Sequence, residues 1–282
     1  MSELSDPRRR SSVRRVVAWR AGVPTERDDH LAGEEPMQIL AAGPNEVPLE
    51  IAVTMRTPGN DAELAVGLLV SEGLIDQRDV VRVAFDDPIE ASHPENRIVV
   101  HLARPLDRSA VPQRATIASA SCGICGKASI ADIVRRCRVS APIDRIRLAA
   151  LSALPDQLRK HQEVFGKTGA LHAAAIAAVG ADGDLEISTV REDVGRHNAV
   201  DKLIGEAALR GALPFDRHLL LLSGRCSFEL VQKAGAAGIA AIASVGAPSD
   251  LAVETAERLG ILLAGFLRGD AVNLYTRSEA IA

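Results

Sequence analysis

The sequence contains few of the residues that several classes of protein require. Its 282 residues include one tryptophan, one tyrosine and five phenylalanines. The hydrophobic core must therefore consist of Leu, Val, Ile and Ala, and the aromatic surfaces on which unpaired bases stack are scarce. A net charge of −4 gives no general affinity for polyanions. We therefore expect no nucleic-acid partner.

Cysteines and long apolar runs are also few. Four cysteines in a chain of this length do not form the framework of a disulfide-stabilised secreted domain, so we predict a reducing, cytoplasmic setting. The richest apolar stretch, 148–154, is too short to span a bilayer, and we expect no membrane association. The arginines near the N-terminus precede no apolar run, which argues against a secretory or twin-arginine signal. Residues 1–12 are predicted to be a disordered tail.

The first half of the chain has an α+β pattern. Alternating apolar residues predict strands at 13–19, 37–41, 49–56, 80–85 and 97–102. One helix is predicted over Asp61–Glu72, with Asn60 as its N-cap, Glu63 at the capping-box position and Gly73 as its C-cap. These elements predict an N-terminal β-rich domain over residues 13–125.

The second half alternates helices with strands. Helices are predicted at 127–137, 148–164, 199–210, 227–237 and 250–259, and strands at 172–179, 185–191, 218–222, 240–245, 262–267 and 272–275. The first two of these strands are expected to form a hairpin. This alternation predicts an α/β class domain over residues 126–282, a layered sandwich with a mostly parallel sheet.

Two cysteines form the most informative motif. Cys122 and Cys125 lie between glycines, just before the predicted helix 127–137, where the helix dipole and Lys127 would lower a thiol pKa. The pair could be a nucleophile, a redox couple or half of a metal site. A metal needs two more ligands, which His172 or His197 could provide, but no spacing requires it. A thioredoxin-like role needs a βαβ context that is absent here. Nucleophilic sulfur chemistry is favoured by elimination.

A dense polar segment, 191–202, joins a predicted strand to a predicted helix. In α/β folds, ligands bind at such strand ends. Arg196 and Lys202 could hold phosphate, and Glu192, Asp193 or His197 could transfer protons; these three are the candidate acid–base groups. The alternative is that Asn198 caps the helix while the charges form a surface network.

Three other turns are candidate binding sites. Gly224 and Arg225 form a strand-to-helix turn that suits an anion. His172 begins a strand, where a single histidine is more often structural. Arg268, in the segment Phe266–Ala271, could face a phosphate or a base. Of the other cysteines, Cys137 is expected in the core, and a lone cysteine such as Cys226 usually packs.

Taken together, these motifs resemble the FdhD family of formate dehydrogenase accessory sulfurtransferases. The matching segments span about residues 45–276 and are listed here: Thr57–Leu64, Ser121–Gly126, Thr168–Ala174, Arg191–Lys202, Ser223–Arg225 with Glu229–Ala234, Ser244–Leu251 and Gly265–Thr276. Two positions depart from the family pattern. Ala170 stands where a second glycine is expected, and Cys226 stands where no thiol is required, which raises a second sulfur site as an unfavoured alternative.

The resemblance implies a specific function. Such proteins accept persulfide sulfur from a cysteine desulfurase and pass it to the molybdenum or tungsten bis-molybdopterin guanine dinucleotide cofactor of the formate dehydrogenase catalytic subunit. Cys122 would carry the persulfide and Cys125 would be its partner. The cofactor, a bound substrate, would contact Phe266, Leu267, Arg268, Gly269, Asp270 and Ala271, with Gly224, Arg225, Arg196, His197 and His172 as further candidates. No structural metal is expected.

The resemblance also implies a cytidine-deaminase-like second domain and a homodimer, although the zinc signature of deaminases is missing. Two alternatives remain open at this stage. The protein could be a non-catalytic chaperone of the molybdenum cofactor, or a thiol–disulfide oxidoreductase.

Overall fold

The computed structural model describes residues 10–86, 94–111, 137 and 142–282. It begins with a hairpin of β1 (Ser11–Arg20) and β2 (Val23–Ala32), paired antiparallel and joined by a two-residue turn at Ala21 and Gly22. The prediction of disorder is wrong at Ser11 and Ser12, which belong to β1; residues 1–9 lie outside the described residues. β2 was not predicted, because its polar sequence has no apolar alternation.

A four-stranded sheet follows, in the order β4-β3-β6-β5. Its strands are β3 (Glu35–Ala42), β4 (Leu49–Arg56), β5 (Val80–Phe85) and β6 (Arg97–Leu102). Short 3-10 helices lie at Gln77–Asp79 and Pro94–Asn96. Only β3 and β6 are parallel to each other. Helix α1 (Asp61–Ser71) covers this sheet, and Leu64 packs with Met37, Ile39 and Ile98 in its core.

The ends of α1 differ in how well the sequence predicts them. Asn60 precedes the helix in a left-handed conformation (φ 60°) and makes no side-chain cap, so the predicted N-cap bond is wrong. Gly73 terminates the helix as predicted. Its φ is +70°, and the bonds Gly73 N–H to Val70 O and Leu74 N–H to Leu69 O form a Schellman motif.

The second half forms a six-stranded sheet in the order β12-β11-β10-β9-β7-β8. Its strands are β7 (His172–Val179), β8 (Leu185–Asp193), β9 (His218–Leu222), β10 (Ala241–Ser244), β11 (Leu262–Arg268) and β12 (Ala271–Thr276). The helices are α2 (Leu148–His161), α3 (Glu163–Thr168), α4 (Arg196–Leu209), α5 (Phe228–Ala236) and α6 (Asp250–Leu259), with a final 3-10 turn at Ser278–Ala280.

Apolar clusters cover both faces of this sheet, which confirms the layered α/β class. The sheet is mixed rather than mostly parallel. Strands β9, β10 and β11 are parallel, whereas the β7–β8 hairpin and β12 pair antiparallel at the two sides. The predicted helix 127–137 lies outside the described residues apart from Cys137, and so does the predicted domain boundary at residue 125, which stays a prediction.

The two halves meet where α1 crosses α4. Gly67 and Gly205 lie at the crossing, and each helix backbone occupies the space of the other's missing side chain. A Cβ added to Gly67 would lie 1.7 Å from the Asp201 carbonyl oxygen, and one added to Gly205 would lie 1.8 Å from that of Glu63. The glycines are therefore required by the closeness of the helices. None of the helices in the described ranges combines the length and the apolar composition that a bilayer span requires.

Candidate functional site

One edge of the six-stranded sheet collects most of the predicted site residues. The carboxyl ends of β8, β9, β10 and β11 lie there, together with the amino end of antiparallel β7. His172 pairs with Asp193 across β7 and β8. Ser223, just after β9, donates its N–H to the Ala173 oxygen (2.9 Å) and accepts the Ala173 N–H on its hydroxyl (2.8 Å). This edge is where α/β sheets bind ligands.

Three segments at strand ends stack on each other at this edge. Gly246 donates to the Gly224 oxygen (3.0 Å), and Phe266 donates to the Gly246 oxygen (3.1 Å). A Cβ on Gly246 would lie 2.9 Å from the Arg225 nitrogen, so only glycine allows the turns to approach so closely. The turns after β9 and β10 and the irregular last part of β11 therefore form one continuous main-chain surface.

A basic cluster lies beside these segments. Burial lowers the pKa of His172, and the charges of Arg196 and Arg225 lower it further, so the imidazole is neutral at pH 7. Arg225 is exposed. The Nε atom of Arg196 is buried without a hydrogen-bond partner in the part of the chain that the structure describes. Two arginines converging on a neutral histidine suit an anionic ligand. The structure thus places three of the predicted binding residues together.

An open cavity of about 300 Å³ adjoins His172 and Ser223. Its other lining residues are Arg159, Gln162, Phe165 and 169–171. The Arg159 guanidinium carbon lies 4.6 Å from the centre of the Phe165 ring, which makes a flat, cationic wall. The sequence prediction did not include Arg159 or Phe165. They lie in α2 and α3, and no spacing in the sequence relates them to the strand ends.

Asp193 anchors the site instead of transferring protons. Its fully buried carboxylate accepts from Lys202 Nζ (2.7 Å), the Thr57 and Gly195 amides (3.1 and 2.8 Å) and Asn198 Nδ2 (3.0 Å). Lys202 is buried too and also donates to the Thr57 oxygen (2.9 Å), so the prediction that it binds phosphate is wrong. Asn198 does not cap α4, which begins at Arg196. Its side chain is buried and donates to the Met55 oxygen.

Glu192 has a structural partner as well. Its buried carboxylate accepts the Val164 N–H (3.0 Å) and the Phe165 N–H (2.8 Å) at the start of α3. Because both oxygens are engaged, Glu192 is a helix cap rather than a free base. It also fixes the helix that presents Phe165 to the cavity.

His197 is the remaining candidate for proton transfer. Its Nε2 lies 3.3 Å from the Ser227 hydroxyl and 3.7 Å from the Glu229 carboxylate. Burial and the cations Arg196 and Lys233 lower its pKa to about 4, so it is neutral at pH 7.

Lys233 is itself buried in a network with Ser71, Glu72 and Asp201, at distances of 2.8–2.9 Å. Burial raises the pKa of Asp201, although the attraction of Lys233 opposes this rise.

The lowered pKa of His197 predicts a loss of stability in acid. Above about pH 6.5 both folded and unfolded chains carry a neutral ring. Between about pH 6.5 and about pH 4 only the unfolded chain binds the proton, so the free energy of unfolding should fall by on the order of 2 kcal/mol. Urea unfolding at about pH 7.5 and about pH 5 measures this fall. It should shrink in His197→Asn and persist in His161→Asn, which alters an exposed ring. Equal falls in both variants would contradict the assignment.

The segment 266–271 exposes some of its side chains at this edge and buries one of them in the core. Phe266 has a left-handed backbone (φ +54°) and its side chain is 42 % exposed. Arg268 and Ala271 flank an exposed hairpin turn at Gly269 and Asp270. Leu267 is fully buried in the core, so its side chain is not available to a ligand.

The four cysteines fall into two groups. Cys122 and Cys125 lie outside the described residues. Burial raises the pKa of Cys226 to about 12 and that of Cys137 to about 11, so both thiols are protonated at pH 7. Cys137 packs against α5, with its sulfur 3.8 Å from the Gln232 oxygen. A second sulfur site at Cys226 is therefore not supported, because a protonated, buried thiol is a poor nucleophile.

Comparisons with known proteins agree on one family. The model of the FdhD/NarQ family matches residues 32–282. Proteins named "Sulfur carrier protein FdhD" are 45 % identical in Mycolicibacterium paratuberculosis (96 % of this chain, 98 % of that protein), 43 % in Streptomyces coelicolor (95 % of both) and 39 % in Sulfurisphaera tokodaii (95 % and 99 %). A crystal structure from Desulfotalea psychrophila, described as a formate dehydrogenase accessory protein, shares the fold with a TM-score of 0.70 at 24 % identity, covering 96 % of this chain and 99 % of that one.

Proposed function

Because the chain belongs to the FdhD/NarQ family, we propose that it is a sulfur carrier that serves a formate dehydrogenase. In this proposal it takes persulfide sulfur from a cysteine desulfurase and delivers it to the enzyme's molybdenum or tungsten bis-molybdopterin guanine dinucleotide cofactor before that cofactor is inserted. A reducing cytoplasm would keep the required thiols reduced.

The proposed loading step is a thiolate exchange. The Cys122 thiolate attacks the terminal sulfur of the desulfurase persulfide, the donor S–S bond breaks, and the donor cysteine leaves as a thiolate. Cys122 then carries the sulfur as a persulfide. Delivery has two balanced routes. Attack of the Cys125 thiolate on the inner sulfur releases hydrosulfide and leaves a Cys122–Cys125 disulfide, or attack on the outer sulfur relays it to Cys125.

The observation that supports this role for the pair is the state of the other thiols. Cys226 is buried and Cys137 is half-buried, and their pKa values are raised to about 12 and about 11. Neither is a thiolate at pH 7, so nucleophilic sulfur chemistry in this chain would fall to Cys122 and Cys125.

The basic edge of the sheet fits the proposed cofactor. Arg196 and Arg225 beside neutral His172 provide cationic donors of the kind that bind phosphate. Main-chain groups of the stacked segments, Phe266 and the flat wall of Arg159 on Phe165 provide surfaces suited to a guanine ring. The cofactor would supply the metal that receives the sulfur. The residues of this chain would bind and orient it.

Sulfur loading tests the proposal directly. After incubation with a cysteine desulfurase and cysteine, the intact protein should gain the mass of one sulfur atom, and a reducing agent should remove it. Cys122→Ala should lose this gain, whereas Cys226→Ala should retain it because Cys226 is buried and protonated. Wild-type protein that gains no sulfur, or Cys122→Ala that still gains it, would refute the carrier function.

A second candidate is a cofactor chaperone without sulfur chemistry, which the cavity and the basic edge would suit equally well. Cells that carry Cys122→Ser or Cys125→Ser would then keep full formate dehydrogenase activity. Arg196→Gln together with Arg225→Gln would abolish that activity under both functions. The cysteine variants therefore discriminate between the two, and the arginine variants test the binding edge alone.

A further inference from the structure

The cavity beside His172 has a wall that the sheet does not form. This wall consists of Arg159 and Phe165, which belong to α2 and α3, and α3 has only six residues. A helix this short has little stability of its own, so its place depends on contacts with the rest of the molecule. The position of the Phe165 ring is therefore set by the residues that hold α3.

The start of α3 is held from a distant strand. Gln162 occupies the N-cap position, but its side chain makes no capping bond within the described part of the chain. Glu192 in β8 provides the missing acceptor, because its carboxylate accepts the Val164 N–H (3.0 Å) and the Phe165 N–H (2.8 Å). These are the second and third amides of the helix, the groups that an N-cap normally satisfies. A carboxylate suits them well, since amides at a helix start carry partial positive charge.

Glu192 is itself fixed in the six-stranded sheet. It is 5 % exposed, and its neighbours Arg191 and Asp193 are each held by an ion pair. It pairs with Ala173 across β8 and β7, and the Ala173 N–H donates to the Ser223 hydroxyl (2.8 Å). The carboxylate therefore connects the aromatic wall of the cavity to the part of the sheet that carries Ser223, another lining residue.

We propose that Glu192 is a positioning residue that sets the width of the cavity for a planar ring. By fixing α3, it holds the flat wall of Arg159 on Phe165 at stacking distance from a ring bound beside His172. This role rests on the proposed function, in which the ring is the guanine of the cofactor.

The affinity for the ring is separable from the affinity for phosphate. The carboxylate of Glu192 bonds α3, whereas Arg196 begins α4 and Arg225 lies in the turn after β9. Loss of the carboxylate should therefore displace the aromatic wall and leave the two arginines in place. A ligand with a ring then reports on Glu192, and an anion without a ring reports on the arginines.

Isothermal titration calorimetry with two probes tests this role. Guanosine diphosphate presents a ring and phosphates, whereas inorganic pyrophosphate presents phosphates alone. In Glu192→Gln, an N–H of the new amide faces one of the α3 donors. The dissociation constant of guanosine diphosphate should then rise about 10-fold or more, while that of pyrophosphate stays within about 2-fold. Glu186→Gln makes the same change at an exposed position of β8 and should alter neither constant. Arg225→Gln should raise both.

A double-mutant cycle separates positioning from a general loss of structure. Phe165→Leu removes the ring from the wall and should also raise the dissociation constant of guanosine diphosphate about 10-fold. Because Glu192 acts through Phe165, the double variant should lose about as much as either single variant, rather than about 100-fold. If Glu192→Gln misfolds by circular dichroism, Glu192→Asp replaces it. Aspartate keeps the buried charge but is one methylene shorter, so it cannot reach both amides unless α3 moves, and the same selective loss is expected.

Several outcomes would overturn the proposal. These are a wild-type protein that binds neither probe, a Glu192 variant that keeps its affinity for guanosine diphosphate or loses both affinities equally, and losses that multiply in the double variant. Sulfur loading distinguishes them from failure of the proposed function. Normal loading with unchanged affinity in Glu192→Gln refutes the positioning role alone, whereas a selective loss of affinity in a chain that accepts no sulfur refutes the carrier function alone.

Discussion

Replacing Gly67 with alanine should destabilise the protein more than most single substitutions, by about 4 kcal/mol or more. The added Cβ would lie 1.7 Å from the Asp201 carbonyl oxygen, a main-chain atom inside α4 that no rotamer change can move. Relief requires α1 and α4 to separate, and the cores of both sheets pack against these helices. Alanine's better helix propensity returns only about 1 kcal/mol. Urea unfolding or the yield of folded protein measures the loss.

Two further variants make this prediction specific. Gly205→Ala should be equally damaging, because its Cβ would lie 1.8 Å from the Glu63 oxygen. Gly166→Ala, in α3, meets no atom within 4 Å and has no left-handed backbone, so it should be neutral or stabilising by about 0.5–1 kcal/mol. Similar losses for Gly67→Ala and Gly166→Ala would mean that the close contact between α1 and α4 is not the cause of the destabilisation.

Asp193→Asn should lower the free energy of unfolding by about 3–5 kcal/mol. All four groups around the carboxylate are donors, namely Lys202 Nζ, the Thr57 and Gly195 amides and Asn198 Nδ2. An amide presents its own N–H to one of them and leaves the Lys202 ammonium buried without a counter-ion. Denaturant unfolding at neutral pH measures the change.

A surface ion pair provides the control for Asp193. Asp184 bonds Arg147 at 2.8 Å, but both side chains are more than half exposed, so Asp184→Asn should change stability by less than about 0.5 kcal/mol. Hydrogen exchange should also locate the effect of Asp193→Asn at the Thr57 and Gly195 amides. A loss that is uniform over the chain, or absent, would show that the buried pair is not the anchor.

Local patterns in the sequence predicted the strands and helices that have an apolar face. The β7–β8 hairpin and the end of α1 just before Gly73 were predicted because apolar alternation and a terminating glycine depend only on neighbouring residues. β2 was missed because a strand without a buried face has no such alternation. Asn60 was expected to cap α1, since its residue type suits a cap, yet its left-handed backbone turns the side chain away from that role.

The site was predictable in its residue types but not in their roles. Polar residues crowded into 191–202 indicated a site, and Arg196 and His197 do lie at the sheet edge. Lys202 and Asn198 were assigned from local sequence, but their partners, Thr57 and Met55, lie more than 140 residues away. Arg159 was missed for the same reason. Such pairings depend on how the two sheets pack, which no short segment encodes.

Three consecutive residues at the end of β8 bond to distant parts of the chain. Arg191 binds Glu63 across 128 positions, Glu192 holds the start of α3, and Asp193 binds the Thr57 amide across 136 positions. A ribosome-bound chain that ends before β8 has none of these contacts. Glu63 and Thr57, in the N-terminal half, therefore cannot form these contacts until nearly 200 residues have been synthesised. Contacts so remote in sequence form slowly, so the binding edge should be among the last parts of the molecule to become ordered.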